Sequence, residues 1–177
     1  MALLTERGAA ELPHVIPGTT LLGHFERTEE LLRSWGNPEP VCLAGLCHAA
    51  YSSDGFEGQV LDHSARDTLG EVAGPEVEAI VYLYGSCDKG QVYPQIGHTW
   101  PVRFRDRFDA SERDLDAEEL GVLCELIIAN AVELMTSRTE RTTLSRANSD
   151  LMRDWLPFVS PPARGAFEAC AKPLKQP

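Results

Sequence analysis

Residues 41–56, VCLAGLCHAAYSSDGF, decide how the rest of the chain is interpreted. The segment opens with small and apolar residues and contains no strand punctuation, so it predicts a buried helix over residues 42–50. His48 ends this apolar run, and the SSDG sequence at residues 52–55 favours a turn. A histidine in this position is either hydrogen-bonded and inert or the working group of a site, and the turn ends the helix where a pocket would open.

The bulk properties restrict the classes of protein. A chain of 177 residues with 43% hydrophobic content predicts one folded domain with a single core, preceded by an N-terminal arm at residues 1–17. A net charge of −11 argues against nucleic acid as a partner but allows a small anionic substrate, which needs only a few local cations. No apolar run is long enough to cross a membrane, so no membrane association is expected.

The N-terminus and the cysteines bear on localisation. The first residues contain no long apolar stretch of the signal-peptide type. The five cysteines are scattered and form no CxxC pair, which is typical of reduced, buried thiols. We therefore predict a cytoplasmic protein, and a homodimer is one of the oligomeric states left open.

The apolar periodicity predicts an all-α bundle of about six or seven helices. Thr19 or Thr20 and Asp116 are the predicted N-caps of the first and the longest of them. Residues 90–111 are predicted to form a loop; some of them could pair as short strands, but the spacing of the prolines argues against a sheet. The predicted helices cover residues 19–35, 42–50, 64–72, 76–87, 117–135, 145–158 and 161–171.

Three polar residues end or interrupt apolar helical patterns: His24, His48 and Asp88. Two imidazoles and one carboxylate are the ligand set of a facial metal triad. The same groups can form an acid/base pair whose tautomer a carboxylate holds. Each histidine could also be a hydrogen-bonded structural residue, so all three roles stay open on the residues alone.

The stretches GHFERTEELLRSWG, CLAGLCHA and YLYGSCDKGQV contain these three residues in turn. Their order, spacing and type of element resemble the helical HD-type metal-dependent phosphohydrolases, in particular the alarmone-hydrolase branch. The whole chain also looks like an uncharacterised bacterial family of small HD-like helical proteins. The resemblance implies a single HD-like domain over residues 18–177, with His24, His48 and Asp88 around one cavity.

The chain departs from that family where the metal and the attacking water are held. Ala49 stands at the position of the metal-binding aspartate, and Ser52 and Ser53 stand at the positions of the Glu-Asp pair that handles water. Losing an anionic ligand weakens a site for a hard metal ion. We therefore expect no bound metal; the alternative is divalent iron, manganese or zinc held by the three residues of the resemblance.

Further residues are candidates for the same pocket. Tyr51, one helical step from His48, could exchange a proton there, or it could be ordinary packing. The candidates for substrate binding are Lys89, Trp100, Arg103 and Asn130; Trp100 could instead anchor a loop, and Arg103 could form surface ion pairs. Whether other ionisable residues join the site is left open, and these are Asp54, Glu57, Asp62 and His63.

The preferred functional hypothesis is a metal-independent enzyme that performs acid/base chemistry on a small organic substrate, as an isomerase, lyase, cyclase or simple hydrolase. A role in biosynthesis is included in this hypothesis. His48 would transfer the proton, and His24, Tyr51 and Asp88 would orient it or the substrate. One alternative is a metal-dependent HD-type hydrolase or an iron-dependent oxygenase. The other is a non-catalytic ligand-binding module.

Overall fold

The computed structural model describes residues 2–14, 18–56, 58–137 and 146–171, and it is mainly helical in these ranges. Three short 3₁₀ helices and a two-stranded antiparallel sheet accompany the α-helices. The α-helices are α1 (Ala2–Glu6), α2 (Leu21–Ser34), α3 (Glu39–Gly45), α4 (Arg66–Ala73), α5 (Pro75–Ser86), α6 (Lys89–Val92), α7 (Ala117–Thr136), α8 (Arg146–Arg153) and α9 (Pro161–Cys170). The strands are β1 (Arg103–Arg105) and β2 (Glu112–Asp114), and the 3₁₀ helices are His63–Ala65, Tyr93–Gln95 and Leu156–Phe158.

The predicted helix starts agree with the structure where the capping chemistry is explicit. The Thr20 hydroxyl accepts a hydrogen bond from the Gly23 amide at 3.2 Å, so α2 begins at Leu21. At the start of α7, Asp116 and Glu119 form a reciprocal capping box. These caps fix the starts of α2 and α7, the two helices that carry His24 and Glu133.

Three predicted elements are corrected. The helix predicted over residues 145–158 is divided into α8, which ends at Arg153, and the 3₁₀ helix Leu156–Phe158. Helix α3 ends at Gly45, so His48 lies in the turns that follow the helix and not in its last turn. The predicted loop over residues 90–111 contains α6, a 3₁₀ helix and β1, so the prediction of an all-α protein is wrong for this segment. Pro94 and Pro101 lie outside β1, and they therefore leave its pairing with β2 intact.

Helix α7 is the central element of the described structure. It packs against α2, α3, α5 and α9. A large apolar cluster surrounds it, and a second cluster joins the N-terminal arm to α2, α3, α4 and α5. The N-terminal arm contributes the buried residues Leu4 and Ala9, so it is packed against the protein. Within the described ranges, no helix combines the length and the apolar character that crossing a membrane requires.

Candidate functional site

A small cavity of about 190 Å³ opens between α2, α7 and the turns that follow α3. That volume exceeds the space that a few waters occupy and lies below the usual range for drug-sized ligands, so it suits a small molecule. The ionisable and amide side chains in its lining are His14, His24, His48, Asp54, Tyr84, Lys89 and Asn130.

His24 and His48 meet at this cavity. Helix α2 places His24 on its buried face, one turn from Leu21 and beside Thr28, because positions three and four apart share a helix face. The Nε2 atoms of the two imidazoles lie 3.2 Å apart, and both residues are almost fully buried. The structure therefore brings together two of the three residues that the sequence singled out.

Each imidazole is held by an acceptor at its other nitrogen. Nδ1 of His48 lies 2.8 Å from the carbonyl oxygen of Gly45, at the end of α3. Nδ1 of His24 lies 2.6 Å from Oε2 of Glu133 on α7. The two rings are thus positioned from opposite ends, by a backbone carbonyl and by a carboxylate.

Glu133 is ionised in this arrangement. Burial alone would raise its pKa, but the hydrogen bond and the charge of His24, with hydrogen bonds from Ser137 and Arg27, lower it to about 2. Arg27 Nε and the Ser137 hydroxyl donate to Oε1 at 2.6 and 2.7 Å. The Glu133 carboxylate therefore receives hydrogen bonds from three side chains, and its own side chain is 1% exposed.

These contacts determine how many protons the two histidines hold. A carbonyl and a carboxylate only accept, so each Nδ1 carries a hydrogen. A hydrogen must also lie between the two Nε2 atoms, because two lone pairs facing each other at 3.2 Å would repel. The His24–His48 pair therefore holds three ring protons and one positive charge, which Glu133 balances.

Of the two rings, His48 is the one whose charged form is disfavoured. Burial lowers the pKa of His48 to about 3, and the charge of His24 acts in the same direction against the weaker effect of the Gly45 carbonyl. Aromatic edges enclose His48, with the rings of Phe25 and Tyr84 at 5.2 and 4.9 Å between centroids. His48 is accordingly neutral at pH 7, and His24 donates the shared proton to its Nε2.

His14 completes the group of imidazoles. Its ring stacks on that of His24 with centroids 4.1 Å apart and an angle of 12° between the planes. It comes from the N-terminal arm, which therefore frames the cavity as well as packing against the core. His14 covers one face of the charged ring and limits the access of water to it.

Lys89 brings a second positive charge to the cavity. Its ammonium group donates to the carbonyl oxygen of Asp54 at 2.7 Å and approaches the Ser53 hydroxyl at 3.5 Å. Burial lowers the pKa of Lys89, while the nearby charge of Asp54 opposes the shift. No carboxylate in the described part of the chain forms an ion pair with this ammonium. A polar or anionic group of a ligand could take up its remaining hydrogen.

Four predicted site residues lie elsewhere. Asp88 caps α6 by accepting from the Gln91 amide, and it faces Arg105 at 3.5 Å, because β1 draws its carboxylate away from the cavity. The Tyr51 hydroxyl donates to Glu78 at 3.3 Å on the other side of the turn. Trp100 is 61% exposed, and Arg103 pairs with Glu112 and Asp114 across the sheet.

The four residues whose participation in the site was left open lie in different places. Asp54 lines the cavity and accepts a hydrogen bond from the Lys89 amide at 3.0 Å. Asp62 caps a 3₁₀ helix, and His63 stacks on Phe108, so neither contributes to the cavity lining. Glu57 lies outside the described residues.

The donor set does not fit the metal centre that the resemblance implies. His24 and His48 supply the two imidazoles of the resemblance, and His14 is stacked on His24, but Ala49 supplies no ligand and Asp88 is directed to Arg105. No group of three or more His, Cys, Asp or Glu side chains in the described ranges could hold a metal ion. Lys89 also places a positive charge in the lining that would oppose a divalent cation.

Sequence reasoning missed the role of Glu133, although the signal was present. Glu133 interrupts the apolar stripe of α7, and a buried carboxylate requires a cationic or multiple hydrogen-bonding partner. Asn130, one turn earlier on the same helix, was singled out and does line the cavity. His14 had no comparable signal, because its segment showed no periodicity.

The comparisons with known proteins give a partial match. A family model described as a Domain of unknown function (DUF6817) matches residues 3–89. That range contains three histidines of the cavity and Lys89, whereas Asn130 and Glu133 lie beyond it. No curated protein and no solved structure matches the chain.

Proposed function

We propose that this protein is an enzyme that uses an HD-like helical domain for metal-independent acid/base chemistry on a small organic substrate. The observation that carries the proposal is the His24–His48 pair, which shares one proton at the wall of a cavity and is anchored at both ends. General acid catalysis requires a proton donor within hydrogen-bond reach of the substrate, and both imidazoles line a cavity of ligand size.

The pair would act as a proton donor that the substrate can reprotonate. A basic atom of the substrate in the cavity would compete with His48 Nε2 for the Nε2–H of His24 and would receive that proton. The protonated substrate atom would stay hydrogen-bonded to the Nε2 atoms, and His24 Nε2 would then take a proton back from another atom of the substrate, which restores its hydrogen bond to His48. Glu133 stabilises the charged form of His24, and the Gly45 carbonyl keeps the His48 ring in the orientation that receives the proton.

Lys89 and Asn130 would hold the polar group of the substrate. Lys89 has a hydrogen directed away from its protein acceptors, and an amide offers both a donor and an acceptor. The ammonium also supplies positive charge next to the reacting atoms without a metal ion. Such fixed charge stabilises negative charge that develops on a substrate oxygen.

The resemblance to the HD-type family is a further argument for this proposal. The first and second histidines of the resemblance are adjacent in space, although 24 residues separate them. At the positions where that family binds a metal and activates water, the chain has Ala49, Ser52 and Ser53. A pocket that keeps its imidazoles and lacks the anionic ligands favours proton transfer over metal-dependent hydrolysis.

The test compares turnover by the unmodified protein and two variants. A panel of small carboxylic acids, hydroxy acids and enol-forming ketones is incubated with each protein, and conversion is followed by mass spectrometry and proton exchange in D₂O. His24→Gln and His48→Gln are expected to lower the rate by about 10²–10⁴-fold, the usual contribution of a positioned acid or base. His98→Gln is the matched control, because His98 is exposed and pairs with Asp154 away from the cavity.

Three results would contradict the proposal. Full activity in His48→Gln would leave the pair without a catalytic role. Turnover that a chelator abolishes and a divalent ion restores would support a metal-dependent mechanism in its place. A compound that binds in the cavity and is recovered unchanged, without proton exchange, would indicate the binding-module alternative.

A further inference from the structure

A second and larger cavity lies on the other side of α5. This groove has a volume of about 740 Å³ and is bounded by α5, the first half of α7, the start of α3 and the two-stranded sheet. It shares no lining residue with the cavity of the His24–His48 pair. Its volume falls in the range of sites for drug-sized ligands and cofactors.

The groove contains a buried carboxylate that lacks a cation. Glu125 is 4% exposed, and its three hydrogen-bond donors are the side chain of Asn37 at 2.9 Å and the amide and hydroxyl of Ser160 at 2.8 and 2.7 Å. All three donors are neutral, and no ion pair to Glu125 occurs among the residues that the structure describes. A carboxylate has about four acceptor positions, so one position and the full negative charge are left for a ligand.

A buried hydroxyl lies in the same lining. Ser86 at the end of α5 is fully buried, and its Oγ has no hydrogen-bond partner in the described structure. Nearly all buried hydroxyl groups in proteins have a partner, because leaving one unpaired costs about 1–3 kcal/mol. A ligand with a hydroxyl, an amine or a carbonyl group would supply the missing hydrogen bond.

The charges of the lining favour a cation. Arg66 is already paired with both oxygens of Glu78 at 2.7 Å, and Arg113 is paired with Glu119 at 2.7 Å. The five acidic residues of the lining are Glu76, Asp106, Glu118, Glu119 and Glu125, of which Arg113 neutralises one. The groove thus presents a negative field with no guanidinium available to an anion.

The rest of the wall is apolar. Val41, Ile80 and Val122 line the groove, and the ring of Phe158 lies at it with 36% of the residue exposed. An aromatic face at an open site can contact an apolar body or a cation. The combination requires a ligand that is apolar over most of its length and positively charged at one end.

We propose that this groove binds an organic cation, a primary or secondary amine with an apolar body, whose ammonium group pairs with Glu125 and whose body lies along α5 and α7. This site is separate from the proposed acid/base function and does not depend on it. The occupant donates an N–H to the remaining acceptor position of Glu125, and its second polar group reaches the Ser86 hydroxyl.

The test uses three probes of equal shape and different charge: 4-phenylbutylamine, 4-phenylbutanol and 4-phenylbutyrate. Binding is measured by calorimetry and by ligand-observed NMR at pH 7. The amine is expected to bind at one site per chain, at least about tenfold more tightly than the alcohol, since a hydrogen bond to a charged group is worth that much or more. The carboxylate is expected to bind most weakly of the three.

Variants locate the binding. Glu125→Gln keeps the shape of the side chain and removes its charge, so it is expected to reduce the affinity for the amine about tenfold or more and leave the alcohol unchanged. Glu30→Gln on α2 is the matched control, because Glu30 is exposed and lies outside the groove. If Glu125→Gln does not fold, Ala79→Trp provides the test, because Ala79 is an exposed residue of the lining and a tryptophan there would fill the groove.

Three outcomes would overturn the proposal. Equal binding of the amine and the carboxylate would show that Glu125 does not select charge. Ala169→Trp, at an exposed position on α9, is the control for Ala79→Trp. If the amine binds equally tightly to both variants, the site lies elsewhere. A concentration-dependent dimer in sedimentation that Ala79→Trp dissociates would show that a second copy of the chain occupies the groove.

Discussion

Replacing Glu133 by glutamine removes the negative charge that balances His24 and Arg27. The carboxylate is 1% exposed and receives hydrogen bonds from both side chains at 2.6 Å. Removing one partner of a buried ion pair costs about 3–5 kcal/mol, because the remaining charge stays without compensation. Arg27 is 36% exposed and can be partly solvated, so we expect a loss of about 2–4 kcal/mol in the free energy of unfolding.

Urea unfolding at pH 7, followed by circular dichroism, measures this loss. The slope of the free energy against urea concentration should be unchanged, since the surface exposed on unfolding is the same. Glu30→Gln, at an exposed position of α2, is expected to change the stability by less than about 0.5 kcal/mol. A loss below about 1 kcal/mol in Glu133→Gln would refute the claim that this carboxylate balances a buried positive charge.

A double-mutant cycle separates the charge from the packing. In His24→Gln the imidazolium is absent, so a further Glu133→Gln change should cost less than it does in the unmodified protein. The coupling free energy between the two positions is expected to be about 1–3 kcal/mol. Strictly additive effects would show that His24 is uncharged in the folded protein.

Three further predictions concern pH, metal binding and packing. The pKa of His48 falls from 6.5 to about 3 and that of Glu133 from 4.5 to about 2. Because the unfolded chain binds more protons in both cases, the free energy of unfolding should fall by about 3 kcal/mol between pH 6.5 and 4. The fall should be less steep in His48→Gln, and equal slopes of stability against pH in the two proteins would contradict the prediction. Ala49→Asp adds a carboxylate ligand beside His24 and His48, and we expect calorimetry to show one Zn²⁺ site per chain in this variant. Equal zinc binding by the unmodified protein would argue against the metal-free account. Gly45→Ala should cost about 1–3 kcal/mol in urea unfolding, because its Cβ would lie 2.5 Å from the Leu32 side chain; an unchanged stability would show that α2 and α3 are not closely packed there.

Local chemistry made part of the fold predictable. Helices α2 and α7 follow from Thr20 and Asp116 as N-caps and from long apolar stripes. The small sheet was not predicted, since three-residue strands are too short for a periodic pattern. The end of α3 at Gly45 was also missed, because small apolar residues continue unchanged into the turns that follow.

Of the central residues of the candidate site, only His24 and His48 were predictable from the sequence. The apolar patterns around His24 and His48 showed that both side chains would be buried, and the resemblance placed them together. Which carboxylate joins them depends on tertiary packing: α7 places Glu133 at His24, whereas β1 draws Asp88 to Arg105. A contact between residues more than 100 positions apart leaves no trace in local spacing.

The protonation of the two central histidines tests the account most directly. The imidazole ¹⁵N and ¹H signals of the five histidines, assigned with His→Gln variants, report which nitrogens carry hydrogen at each pH. At pH 7 we predict that His24 is protonated on both nitrogens and that His48 is neutral with its hydrogen on Nδ1, remaining so down to about pH 4. A neutral His24 at pH 7, or a His48 that carries its hydrogen on Nε2 or titrates near 6.5, would contradict the shared proton.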